Sequence, residues 1–256
     1  MLSKNKISEL TALHQKKYRQ SLGLFIVEGE KIIDEVISSN AKIVEAFCTP
    51  DLFEKYLNKL PQLTLADPKL FAKISTLKTP AGILAVLKQN QYQIDAKSLK
   101  NNFTICLDGI RDPGNLGTII RIADWFGIKN IICSFDTVDF YNPKTIQATM
   151  GSFLRVDVIY ADLKSFLIEI QKHQIPIFGA VLNGQNIYQK QNINQGVLLM
   201  GSESHGISEE LLNLINEPIT IPSKMLTRVD KEHQIDSLNV AIATSIICAV
   251  FAGQLK

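Results

Sequence analysis

Metal-ligand and disulfide patterns are missing from this chain, and so is any apolar run of membrane length. The four cysteines (Cys48, Cys106, Cys133, Cys248) show no Cys-x-x-Cys spacing, and the four histidines form no ligand pattern. Neither a metal site nor a disulfide frame is expected, and cysteines set in apolar runs read as reduced core residues of an intracellular protein. No apolar stretch is long enough to span a bilayer. The opening Met1-Leu2-Ser3-Lys4-Asn5-Lys6 leads into a polar helix rather than an apolar signal segment, so a soluble, cytoplasmic protein with no membrane partner is expected. A G-x-x-x-x-G-K-[S/T] run is absent, which argues against a P-loop ATPase, and Gly109, Gly114 and Gly117 do not make G-x-G-x-x-G.

Strong charge of either sign is lacking too: 27 Lys+Arg against 25 Asp+Glu leave +2. The distribution is less even. Residues 1–100 carry fifteen basic and ten acidic side chains, and residues 101–256 carry twelve and fifteen. A basic front joined to a mildly acidic remainder points to a polyanion partner for the first part, although a solvated lysine face would look the same. At 256 residues, 46% hydrophobic and 20% charged, the chain suits a soluble protein of one large or two modest domains.

Taken in order, residues 4–20 read as one basic helix with Ile7, Leu10 and Leu13 inward. Strands at 24–27, 43–47 and 83–87 alternate with helices from 28, at 51–60 and at 67–74, which describes a small α/β unit. The polar run 88–102 is the linker candidate, giving domains 1–92 and 103–256 with a linker at 93–102. From residue 103 the alternation is regular. Apolar strands at 103–107, 130–133, 155–159, 176–181, 197–200 and 219–221 are separated by helices at 115–126, 143–150, 162–173 and 208–215. A nearly all-apolar helix, 238–251, closes the chain. That pattern predicts a parallel sheet covered on both faces.

One stretch organises the second part. The strand ending Leu107-Asp108 runs into Gly109-Ile110-Arg111-Asp112-Pro113-Gly114, a turn composition, and then into a helix bearing Asn115 and Arg121. Taken alone, Asn115 reads as a helix cap and Arg121 as a snorkelling surface residue. Two more loops share its character. Met200-Gly201-Ser202-Glu203-Ser204-His205-Gly206-Ile207 leads to Ser208 as an N-cap, and Ile221-Pro222 is followed, after a charged insert, by Asp236-Ser237-Leu238-Asn239, where Ser237 or Asp236 is the expected cap. All three follow strands and should share one sheet edge. Three ordinary capped loops account for each separately, but poorly for Asn115, Arg121, Glu203 and Asn239 meeting at one rim. Asp136, near a second strand end, keeps a dinucleotide oxidoreductase as a rival.

The loops resemble the three motifs of SpoU-type RNA 2′-O-ribose methyltransferases of the SPOUT class: Asp112 to Arg121, Met200 to Ser208, and Ile221-Pro222 with Ser237-Leu238-Asn239-Val240. Ala148-Thr149-Met150-Gly151-Ser152-Phe153 is similar to a further family segment, and Phe25-Ile26-Val27-Glu28-Gly29-Glu30 to the RNA substrate-binding domain often fused to these enzymes. The resemblance implies a parallel-sheet SPOUT domain with a deep trefoil knot. S-adenosylmethionine would be held by Ala180, Gly201, Ile221 and Leu238. A homodimer through the carboxy-terminal domain is implied as well. It implies Arg121 as the central catalytic residue, with Asn115, Glu203 and Asn239 orienting it and the ribose. Arg121 serves as a base or a phosphate clamp; a clamp is preferred, since arginine stays protonated. RNA contacts fall to Lys16, Lys17 and Arg19, and the substrate is a structured RNA, ribosomal ahead of transfer RNA. The alternative is a catalytically inactive RNA-binding protein of the same fold. The charged insert 223–236 is longer than the family connection and reads as an RNA-contacting flap or a solvated loop. His205 reads as a loop residue, not a base.

Overall fold

The basic front breaks into two helices where one was expected. Ser3 caps the first, α1 (Lys4–Ala12), by accepting the Lys6 N–H at 3.2 Å. The second, α2 (Lys16–Leu22), ends on Gly23 at φ 63°, a left-handed stop that suits glycine. A helix end leaves carbonyls without partners. Here those of Leu13 and His14 accept from Arg19 Nη1 at 2.9 and 2.8 Å. In this computed structural model, which describes residues 2–60, 62–92, 99–191, 193–223 and 237–253, the chain divides into two units.

The first unit holds residues 1–91 and, unexpectedly, 139–154. Its strands are β1 (Leu24–Glu28), β2 (Ile43–Cys48), β3 (Leu63–Leu65) and β4 (Ile83–Lys88), in the order β1-β4-β2-β3. The short β3 is not legible in the sequence. β4 runs antiparallel to β1 and β2, and β3 lies parallel to β2. Helices α3 (Glu30–Ile37), α4 (Pro50–Tyr56) and α5 (Pro68–Ile74) complete the alternation. The β1 run is apolar from Leu24 to Val27 because both of its faces are covered. Ile26 joins Leu10, Phe47, Phe71 and Leu84 in one core, while Phe25 stacks on Tyr141 at 4.5 Å and meets Phe153 edge-on at 5.9 Å. Glu28, 1% exposed, ends β1 by accepting from Ser75 Oγ (2.6 Å), the Thr76 N–H (2.8 Å) and the Ala81 N–H (3.2 Å). A buried carboxylate tolerates burial when donors surround it in this way.

The second unit is an all-parallel six-stranded sheet. Its elements are β5 (Phe103–Leu107), α6 (Pro113–Trp125), β6 (Asn130–Cys133), β7 (Asp157–Tyr160), α8 (Leu163–Lys172), β8 (Ile177–Asn186), β9 (Gly196–Met200), α9 (Glu209–Leu212), β10 (Glu217–Thr220) and α10 (Val240–Ala252), while α7 (Pro143–Thr149) falls in the first unit. The order is β10-β8-β9-β5-β6-β7. One face packs Cys106, Ile132, Val197 and Leu199 against Leu167 and Ile170 of α8. On the other, α10 lies against α6, and its Phe251 stacks on Phe103 at 5.2 Å and Phe178 at 4.9 Å. β8 runs beyond the expected 176–181. Its pairing with β10 jumps from Gly179 to Gln185, so 180–184 leave both ladders. The strand order reverses between β5 and β9, the place where open α/β sheets keep their ligand crevices. Among the described residues no helix is long and apolar enough to cross a membrane. Most of the 93–102 linker, at 93–98, and most of the charged insert, at 224–236, lie outside the described residues.

One expectation is corrected here. Arg19 is 2% exposed, and its Nε donates to Asp139 Oδ2 at 3.0 Å, so its guanidinium is committed inside the first unit and faces no external phosphate. Lys16 and Lys17 remain exposed in the first turn of α2. Removing one member of a buried, hydrogen-bonded ion pair strands the other. Arg19→Met should therefore lower stability by about 3 kcal/mol in urea unfolding, and Arg19→Met with Asp139→Leu should recover much of the loss. The four cysteines are buried, and burial raises the Cys48 thiol to about 11 and that of Cys248 to about 12. The native protein should thus resist a disulfide reagent at pH 8, and all four thiols should titrate on unfolding.

Candidate active site

Asp108 follows β5 and fixes the first loop in two directions. Its N–H donates to the Met200 carbonyl of β9 at 2.9 Å, and its Oδ2 accepts the Ser208 N–H at 2.8 Å where α9 begins. Further along, Asp112, not Asn115, caps α6: its Oδ1 accepts the Asn115 N–H at 2.8 Å, with Pro113 at the first helical position. This cap leaves the Asn115 side chain free to reach outward. It donates through Nδ2 to Glu203 and accepts through Oδ1 from Asn239 Nδ2 at 3.0 Å.

Glu203 is presented by a tight turn. Ser202 and Gly206 exchange backbone hydrogen bonds at 3.0 and 2.9 Å, and Gly206 takes φ +68°. Gly201 lies so close beneath that an added Cβ would stand 2.1 Å from the Gly206 carbonyl carbon, so only glycine fits. Asn239, rather than Ser237 or Asp236, caps α10, with Oδ1 accepting the N–H groups of Ala241 (3.0 Å) and Ile242 (3.3 Å). The orientation of both amides follows from their ends. Backbone N–H groups can only donate, so Asn239 must turn its oxygen to the helix and its nitrogen to Asn115. Asn115 then accepts from Asn239 and donates to the carboxylate. Three loops separated by most of the second unit's sequence form one directed hydrogen-bond chain at the carboxyl edge of the sheet.

Arg121 does not join that chain. It follows Asn115 by six residues, roughly 120° round the helix from it, on an exposed stripe with Thr118 and Trp125. Among the described residues its guanidinium has no hydrogen-bond or ion-pair partner. Gly201 and Ile221 follow the carboxyl ends of β9 and β10, and Ala180 lies inside the neighbouring β8, just past its pairing with β9 at Gly179. Ala180 opens the 180–184 segment that leaves the ladders, Ile221 is half-buried, and Leu238 precedes Asn239 at the surface. His205 stays in the turn, its Nδ1 2.7 Å from Ser204 Oγ. Beneath the site, Cys106 and Cys133 hold thiols pushed well up by burial, so neither offers a nucleophile. Asp108 is a tie that sequence reasoning missed; its only signal is a carboxylate at a strand end ahead of a glycine. The described residues contain no cluster of metal-ligating side chains.

A family model described as the SpoU rRNA Methylase family matches residues 102–249, and one described as the MRM3-like substrate binding domain matches residues 4–85. The chain is 27% identical to the 23S rRNA (guanosine(2553)-2'-O)-methyltransferase RlmP of Bacillus subtilis, over 94% of each protein. It superposes with a TM-score of 0.84 on a structure from Porphyromonas gingivalis assigned to the TrmH family of RNA methyltransferases, at 33% identity over 98% of each chain. With the same TM-score, 0.84, it matches an AdoMet-bound rRNA methyltransferase from Sinorhizobium meliloti, at 27% identity over 100% of this chain and 97% of that one.

The hydrogen-bond chain can be dissected through its cap. Asn239→Ala loses both helix bonds and the link to Asn115, and should cost about 1–2 kcal/mol in chemical denaturation. Asn239→Asp keeps the cap but cannot donate to Asn115, and should retain most of that stability.

Proposed function

Because the chain belongs to the SpoU rRNA methylase family, we propose that it methylates a ribose 2′-hydroxyl of ribosomal RNA at the Asn239–Asn115–Glu203 site. It is an S-adenosylmethionine-dependent RNA methyltransferase that acts on structured RNA. The observation that carries the proposed site is the convergence of three loop-borne side chains into one directed hydrogen-bond chain where the strand order reverses. The relatives are methyltransferases by name, and nothing favours the inactive alternative.

The residues present fit the cofactor. Adenine and a methionine chain need backbone donors and acceptors between apolar walls. The 180–184 segment, which leaves both ladders, and the half-buried Ala180, Gly201 and Ile221 supply these, with Leu238 beside Asn239. When bound, S-adenosylmethionine supplies an electrophilic methyl carbon on a sulfonium that leaves as a neutral thioether. The protein must hold the 2′-oxygen in line behind that carbon and ease removal of its proton. In this reading Asn115, Glu203 and Asn239 orient the ribose. Arg121, permanently protonated, clamps the adjoining phosphate with its planar fork and lowers the cost of negative charge on the 2′-oxygen.

A second copy completes the proposal. The outward stripe of α6 (Thr118, Arg121, Trp125) and that of α10 (Ile242, Ala249) leave Trp125 85% and Ile242 54% exposed. Large apolar side chains exposed on adjoining helices suit a subunit interface. Packing two copies there would put Arg121 at a site shared between subunits. Lys16 and Lys17 are the proposed phosphate contacts of the first unit, and the cytoplasm is the proposed place of action. The trefoil knot also belongs to this reading.

The test is methyl transfer from labelled S-adenosylmethionine to deproteinised ribosomal RNA from cells in which the gene is deleted. Wild type should label a ribose. Arg121→Lys, which keeps charge but not the fork, should lose turnover by about 100-fold, while calorimetry finds cofactor affinity unchanged. Label on a base, or on no RNA, would refute the reading.

A further inference from the structure

Phe135 is 68% exposed, yet the turn that carries it is tightly stitched. The Ser134 N–H donates to the Leu107 carbonyl at 3.0 Å, and Ser134 Oγ accepts the Gly109 N–H at 2.9 Å while donating to Asp136 Oδ1 at 2.6 Å. Buried Thr137 donates to the Leu107 carbonyl at 3.3 Å, and the Val138 N–H donates to the Ile110 carbonyl at 2.8 Å. Every polar side chain of the turn is engaged internally. The ring is offered outward beside the exposed Asp136.

The mount sits beside the catalytic cluster. Gly109, at φ +68°, is the meeting point: a Cβ there would stand 3.2 Å from Asp136 Oδ2 and 3.9 Å from Ser202 Cβ, so the loops after β5, β6 and β9 touch. Ser202 adjoins Glu203, and the loop after β5 leads to Asn115. Arg111, exposed and without a partner among the described residues, follows the Ile110 whose carbonyl the turn holds. A single apolar ring flanked in sequence by Ser134 and Asp136, on a turn tied to the loops that carry Ser202 and Arg111, is too isolated for the core of a subunit interface. It has the size of one base, and the adjoining loop offers the exposed Arg111 as a cation for a phosphate. RNA-binding proteins read unstacked bases on such rings.

We propose that Phe135 is a stacking platform for a nucleobase next to the methylated ribose, with Arg111 on the neighbouring phosphate. The proposal rests on the functional reading above and deepens it. Phe135→Ala, Phe135→Leu and Phe135→Trp would be compared with wild type on the same deproteinised ribosomal RNA. The measurements are KM and kcat for methyl transfer, RNA Kd by filter binding, cofactor Kd by calorimetry, and mass by sedimentation. Phe135→Ala should raise KM and RNA Kd about ten-fold, leaving kcat at saturating RNA, cofactor Kd and mass unchanged. Phe135→Leu should do nearly the same, and Phe135→Trp should bind like wild type. Unchanged RNA Kd for Phe135→Ala, wild-type binding by Phe135→Leu, or an altered mass would each overturn the platform. If wild type methylates no RNA, the functional reading falls by itself. The RNA Kd values then still decide: a ten-fold gap keeps the platform, and equal values remove it.

Discussion

Two side-chain amides have a forced polarity, and the second unit is arranged around that fact. The free N–H groups at the start of α10 demand an oxygen from Asn239, which obliges its nitrogen to point at Asn115 and the Asn115 nitrogen to point at Glu203. Reversing either amide would set two donors or two acceptors against each other. The parallel sheet, the α6–α10 packing and the Gly201 contact bring three distant loop ends within hydrogen-bond reach. A helix cap, ordinarily a device of local stability, here fixes the direction of a polar relay.

The first unit handles charge differently. Glu28 and Arg19 are both nearly sealed from solvent, each surrounded by partners, and each closes a joint: Glu28 the loop from Ser75 to Ala81, Arg19 the break between α1 and α2. Lys16 and Lys17 sit at a helix start, where the backbone dipole disfavours cations. Their placement brings the fold no electrostatic gain, which is in keeping with a role toward a polyanion.

Much of this was legible in the sequence, and the failures have physical causes. The parallel strands announced themselves as apolar runs. The motif loops showed as glycine and carboxylate clusters after strands, whereas Asp112-Pro113 reads as turn and Asn115 as the cap, although Asp112 starts α6. The cap of α10 was misread because Asp236, Ser237 and Asn239 have similar capping propensity; only the distant Asn115 selects among them. Arg19 passed for a surface cation because its neighbours Lys16 and Lys17 are surface cations, and its partner Asp139 lies far along the chain. The far half of β8, Asn183-Gly184-Gln185-Asn186, has loop composition and became strand only through its pairing with Ile219 and Thr220 after the register jump. The position of Arg121 relative to the relay depends on a helical angle that spacing alone describes, yet its use depends on what packs against α6.

The inclusion of 139–154 in the first unit has a consequence for how such proteins can be recombined. A chimera that exchanges only residues 1–92 for those of a relative would give the new front end a foreign Asp139, Tyr141 and Phe153 to pack against. Substrate-binding fronts can therefore be traded only together with this small cassette lying inside the other domain's sequence. Lineages that shuffled the front without it would be expected to repair the mismatch at those positions.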